Sequence, residues 1–123
     1  MVRTVAAGLV AGAGLLASCS ASAQAVPAGK ASFAPCAACH GTKAGERKMG
    51  PTLFGIVGRK AASVPDARYS AAMKASGIVW TPAALDTFLA APRKRVPGTM
   101  MAFVGIPDKK KRDAVVRYLA TLK

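Results

Sequence analysis

The 123 residues contain one histidine, His40, and three cysteines, Cys19, Cys36 and Cys39. A zinc site takes about four Cys, His or carboxylate ligands, and downstream of residue 23 only Cys36, Cys39 and His40 offer thiolate or imidazole. Acids are scarce as well: 5 Asp and Glu stand against 18 Lys and Arg, a formal charge of +13. There is no internal repeat, heptad pattern or low-complexity tract, and no clear alternating strand pattern. A thioredoxin-type dithiol, which needs a βαβ context, has nothing to stand on. The one long apolar run, Val5 to Ala17, is shorter than the ~20 residues of a transmembrane helix.

That run has another use. Arg3 precedes it and Ala21-Ser22-Ala23 follows, the basic start, apolar middle and small-residue cleavage site of an export signal. Residues 1–23 are predicted to be a signal peptide and 24–123 one domain. Leu16-Ala17-Ser18-Cys19 also resembles a bacterial lipobox, but cleavage after Ala23 is the favoured reading over lipidation at Cys19. Either route delivers the chain to the periplasm. The mature part would keep 17 cations against 5 acids, a formal +12. Such a balance favours acidic partners and makes association salt-sensitive. Nucleic acid is excluded as a partner by export, and a membrane surface is expected to be met only peripherally.

Within the exported part stands Cys36-Ala37-Ala38-Cys39-His40. C-x-x-C-H reads as a c-type haem attachment site. Each thiol can add across a haem vinyl group, and a spacing of three puts both sulfurs on one side of a helical turn. His40 then brings its imidazole under the iron as an axial ligand.

The chain around the motif reads as helices joined by Gly/Pro-rich loops. Residues 24–27 read as a tail, 28–34 as a helix with Gly29 and Phe33 on one face, and Pro35 as a bend into Cys36. Residues 41–59 read as irregular, with Gly50, Gly55 and Gly58 letting backbone approach a flat ligand. Ser70 to Ser76 is a short helix. Thr81-Pro82 opens another, with Leu85, Phe88 and Leu89 on one side, which Pro92 stops. Arg93-Lys94-Arg95 is a basic surface turn. The last helix starts near Pro107-Asp108 and turns Val115, Tyr118, Leu119 and Leu122 to the core. The fold class is all-α, about four to five helices wrapped around one covalent haem that supplies the apolar volume so small a chain lacks.

With no second histidine, the far face of the iron is left to Met, Lys or Tyr, or stands open. Met49, Met73, Met100 and Met101 are available, and His/Met ligation raises the potential. Chemistry alone does not choose between Met100 and Met101.

An ordered set of motifs runs from about Gly29 to Leu122: Cys36-x-x-Cys39-His40, Gly50-Pro51-x-Leu53-x-Gly55-x-x-Gly58-Arg59, Tyr69-Ser70, Trp80, Pro97-Gly98-Thr99-x-Met101-x-Phe103 and Tyr118-Leu119. In this the chain resembles a class I c-type cytochrome, the mitochondrial and soluble alphaproteobacterial kind. The resemblance implies Met101 as the second iron ligand, and Pro51 as the residue whose carbonyl takes the other ring N–H of His40. It implies that Arg59, Tyr69 and Trp80 surround a buried haem propionate, that Thr99 hydrogen-bonds the propionate or its loop, and that Gly29 and Phe33 cross Tyr118. Met73 and Phe88 stand where many relatives have asparagine and tyrosine, which implies a less polar pocket and a raised potential.

The function implied is a monomeric one-electron carrier, not an enzyme. Acidic partners would be a quinol-oxidising complex, terminal oxidase, reaction centre or peroxidase, met through Lys43, Arg47, Lys48, Lys60, Lys94 and Lys109. The alternatives are a haem sensor or peroxidase with a labile Met101, and a cytochrome subunit of a specific dehydrogenase.

Overall fold

The computed structural model describes Gly14 and residues 21–123, with side chains from Val26 onward. The predicted leader lies outside the described residues apart from Gly14 and the backbone of 21–23, and Cys19 lies outside them too.

Among the described residues five helices follow one another: α1 Ala21–Ala37, α2 Ala71–Ala75, α3 Pro82–Ala90, α4 Pro92–Arg95 and α5 Lys109–Ala120. The described residues form no strand. One isolated antiparallel bridge joins Lys60 to Val79. No described helix is long and apolar enough to cross a membrane. The fold is all-α, as the sequence implies.

The core forms where α1 and α3 both pack on α5. Phe33 meets Tyr118 with ring centroids 5.1 Å apart, tilted by 56°. Gly29 makes this crossing close: a Cβ there would stand 2.7 Å from Tyr118 Cβ and 2.9 Å from the Ala114 carbonyl carbon. Four residues of α5 are buried, Ala114, Val115, Val116 and Leu119, while Tyr118 and Leu122 are half-buried. The buried face is wider than the single stripe read from sequence because α5 has two neighbours to cover, not one.

Local chemistry sets the helix starts. Ser70 Oγ accepts the Met73 N–H at 3.0 Å, Thr81 Oγ1 that of Ala84 at 3.1 Å, and Asp108 Oδ1 that of Lys111 at 3.1 Å. Each satisfies an amide that the helix itself leaves without a partner.

Two expectations about proline are corrected. The first helix does not begin at Ala28 or end at Ala34; α1 includes both Pro27 and Pro35 and carries on to Ala37. A proline leaves the carbonyl four residues back unpaired. For Pro35 that is Ala31, an exposed position where water can take over the bond. Pro92 does not merely stop α3 but opens α4, a single turn holding Arg93, Lys94 and Arg95. Lacking an N–H and preset in φ, proline suits a first helical position as well as a stop.

Candidate haem-binding site

The motif lies at the end of α1. Cys36 sits in its last turn, and the N–H groups of Cys39 and His40 both donate to the Cys36 carbonyl, at 3.1 and 2.9 Å. This turn places two free, half-buried thiols and the imidazole on consecutive windings. Burial pushes the Cys36 thiol above its ordinary value, and neighbouring Cys39 adds to the shift.

His40 is fixed from the opposite side of the chain. Its Nδ1 lies 2.7 Å from the Pro51 carbonyl oxygen, which leaves Nε2 as the nitrogen available to a metal. Burial holds the imidazole below its ordinary pKa; the Pro51 bond works against this, and the Arg59 charge adds to it. A neutral ring is the metal-binding form. Gly50 permits the approach, since a Cβ there would stand 2.7 Å from His40 Cε1 and 2.9 Å from Nδ1. Its N–H donates to the Cys39 carbonyl at 2.7 Å.

The loop after His40, which reads as irregular from the sequence, is tied down by Thr52 and Glu46. Thr52 is buried, and its Oγ1 donates to the Lys43 carbonyl at 2.7 Å while accepting the Phe54 N–H at 3.2 Å. Glu46 curls over Gly41, and its Oε2 accepts the N–H groups of Thr42 and Lys43 at 2.8 and 3.1 Å. Thr52 has nothing local to mark it, because Lys43 lies nine residues back, whereas Glu46 reaches amides three and four residues before it in the same loop.

Those two bonds hold the Glu46 carboxyl below the ordinary glutamate value, that of Thr42 contributing most. A depressed folded-state pKa gives stability that is present above the unfolded value and lost as pH falls through the folded one. The 41–46 loop is therefore expected to loosen only below the ordinary carboxylate range. Amide exchange at Thr42 and Lys43 should rise there. Glu46→Gln should show fast exchange already at neutral pH, and equal protection in both proteins at neutral pH would refute the link.

Arg59 donates from its two terminal nitrogens to the carbonyls of Phe54 and Thr52, both at 2.8 Å. Burial lowers its pKa, against the opposing effect of Tyr69. No ion pair among the described residues includes it, so this half-buried cation is left without a carboxylate. Trp80 is brought beside it: its N–H donates to the Arg59 carbonyl at 2.9 Å, and its carbonyl accepts from Gly58 at 2.9 Å. Tyr69 Oη accepts the Val64 N–H at 3.2 Å, which leaves its own proton to donate. Thr99 Oγ1 accepts the Met101 N–H at 3.3 Å.

Of the methionines, Met73 is buried, Met101 is half-buried and packed against the core, and Met100 and Met49 are exposed. Phe88 is buried 5.0 Å from Trp80 between ring centroids. Lys43, Arg47, Lys48, Lys60, Lys94 and Lys109 are all exposed. Among the described residues no three His, Cys, Asp or Glu side chains gather as a bare-metal site.

These residues fit a covalently attached haem. Two thiols and an oriented neutral imidazole stand on one turn. Leu53, Val57, Tyr69 and Met101 form half-buried apolar packing against the core. Arg59 is a cation whose burial calls for an anion such as a propionate.

Comparison with known proteins agrees. The family profile described as cytochrome c matches residues 26–123. Cytochrome c2 of Agrobacterium tumefaciens (strain II Chrys) is 46% identical over 98 residues, covering 76% of this chain and 88% of that protein. Cytochrome c2 of Rhodopila globiformis is 47% identical over 88 residues, covering 72% and 83%. Among solved structures, cytochrome cH from Methylobacterium extorquens superposes with a TM-score of 0.74 at 46% identity, covering 78% of this chain and 97% of that one.

Proposed function

Since this chain belongs to the cytochrome c family, in its class I alphaproteobacterial type, we propose that it shuttles single electrons in the periplasm through a haem ligated by His40 and Met101. The family is one of electron carriers, not enzymes, and its haem c is attached covalently, here through Cys36 and Cys39. Bound haem supplies a one-electron couple. The rest is the work of the chain. Pro51 holds the His40 ring in orientation and raises its basicity. Arg59, Tyr69 and Trp80 offer donors to a buried propionate, and Thr99 braces the turn that carries Met101. Two protein ligands leave no position for a substrate and need not change with redox state.

The observation that best supports the reading is the contrast between the half-buried Met101, packed on the core, and the exposed Met100. Periplasmic placement is supported by the export pattern of residues 1–23. The partners proposed are acidic redox proteins: a quinol-oxidising complex on one side, and an oxidase, reaction centre or peroxidase on the other. The test is carbon monoxide. Reduced holoprotein should fail to bind it at neutral pH, and rapid binding would replace the carrier with a sensor or peroxidase.

Burial of Phe88 beside Trp80 and of Met73 in the core supports a pocket of low polarity, which disfavours the charged ferric state. Phe88→Tyr is expected to lower the midpoint potential by some tens of millivolts, given that ~59 mV is a factor of ten in a one-electron equilibrium. Voltammetry showing an unchanged or higher potential would refute this.

A further inference from the structure

Asp86 and Arg112 have no part in the site described above. Arg112 Nε donates to Asp86 Oδ1 at 2.9 Å, which ties α5 to α3. Among the ion pairs of the described residues this one is the least exposed, its side chains 12% and 32% open to water against 81% and 70% for Arg47 and Asp66. A fully exposed pair is worth little, and a shielded one more.

The rest of the guanidinium bonds to backbone. Arg112 Nη1 donates to the Ile106 carbonyl at 2.9 Å and to the Pro107 carbonyl at 2.8 Å. Ile106 is held from its other side as well, since its N–H donates to the Leu89 carbonyl of α3 at 2.7 Å. Gly105 lets the segment lie this close: its φ is +110°, and a Cβ there would stand 2.9 Å from the Ala90 carbonyl carbon. Five residues after Met101, the chain is thus clasped to α3 twice, once directly and once through Arg112.

The turn that carries Met101 has no such tie of its own. Its hydrogen bonds run from Thr99 to Val96, from Met101 to Thr99 and from Phe103 to Met101, and none of these reaches α3 or α5. The clasp at 106–107 therefore opposes the opening of the whole segment. Asp86 governs its second half. A guanidinium is a planar fork, so a carboxylate on Nε fixes where Nη1 points. Without Asp86 the fork is free to turn into water, and both carbonyls lose it.

We propose that Asp86 is a positioning residue for the Met101 ligand: acting through Arg112, it latches the segment after Met101 to α3 and so sets how readily the thioether leaves the iron. The proposal rests on the reading of Met101 as the ligand and adds what holds it there. Such local opening depends on the contacts of the opening segment, apart from global stability.

The test mixes ferric holoprotein with imidazole, whose binding must wait for Met101 to leave. At saturating imidazole the observed rate is that of the opening. Asp86→Ala should raise it about tenfold, as for the loss of one charge-assisted hydrogen bond. Asp86→Asn keeps a neutral acceptor, a bond about half as strong, and should raise it about threefold. Arg112→Lys cannot hold a carboxylate and two carbonyls in one plane; it should match Asp86→Ala, and the double variant should go no faster. Amide exchange at Ile106 should rise with the imidazole rate in each, while the resting absorption spectrum stays that of the wild type. Gly29→Ala, which crowds the crossing of α1 and α5 instead, should leave the imidazole rate unchanged. A wild-type rate in Asp86→Ala, an equal gain in Gly29→Ala, or gains that multiply in the double variant would each overturn the latch. Met101→Ala tests the ligand reading separately. It should bind imidazole with no limiting step, and a wild type that does the same sinks Met101 as the ligand whatever Asp86 does.

Discussion

Reduced Met101→Ala holoprotein is expected to bind carbon monoxide rapidly at neutral pH, while Met100→Ala excludes it as the wild type does. The two methionines are adjacent and share the same chemistry, so the difference must come from how the turn is held. The Thr99 N–H donates to the Val96 carbonyl at 3.0 Å, Thr99 Oγ1 takes the Met101 N–H, and the Phe103 N–H returns to the Met101 carbonyl at 3.0 Å. Further on, the Ile106 N–H reaches the Leu89 carbonyl of α3 at 2.7 Å. This network fixes the segment at both ends and turns Met101 towards the core while Met100 stays 55% exposed. Removing the inner thioether should open a coordination position and lower the potential by a sizeable part of the ~0.8 V that axial ligands span. Removing the outer one should change neither. If Met100→Ala opened the iron and Met101→Ala did not, the ligand assignment would be reversed.

What was legible in the sequence was what short-range chemistry decides. Cys36, Cys39 and His40 are contiguous, and the starts of α2, α3 and α5 follow from Ser70, Thr81 and Asp108, whose side chains cap amides three residues away. Proline was less legible because the residue has two meanings. Pro92 ends one helix and begins the next, and Pro35 is tolerated in α1 where the carbonyl it frees belongs to the exposed Ala31. The ties of the 41–59 region were not legible at all. Thr52 and Arg59 bond to backbone carbonyls that only the folded chain brings near, while Glu46 reaches back to amides three and four residues before it, the reverse of the helix-cap pattern. Arg59 was singled out by resemblance, yet its contacts to Phe54 and Thr52 have no signature in the sequence. Glu46 looked like one of five acids in a basic chain, and its place in holding the loop after the motif follows from the tight curl over Gly41.

The crossing of α1 and α5 offers a sharper trial of this physical reading, because two rules oppose each other there. By helix propensity, Gly29→Ala should stabilise α1 by about 1 kcal/mol. By packing it should destabilise, since the new Cβ meets the Ala114 carbonyl group and, at 2.7 Å, Tyr118 Cβ. Overpacking of this sort costs about 1–3 kcal/mol, and here the obstacles are backbone and a Cβ, which no rotamer change can move. Since neither obstacle can move, the cost should fall at the upper end, about 3 kcal/mol, and packing should win with a net loss of roughly 2 kcal/mol once propensity is deducted. At 4–8 °C per kcal/mol for a domain of this size, the midpoint of thermal unfolding should fall by about 8–16 °C. Trimming Tyr118 to alanine in the same chain should not rescue it, since the clash is with atoms that alanine keeps. A Gly29→Ala holoprotein as stable as the wild type, or one rescued by Tyr118→Ala, would mean that the helices separate freely at this point. The position of Cys36, seven residues beyond Gly29 on α1, would then not be set by the close approach of α1 to α5.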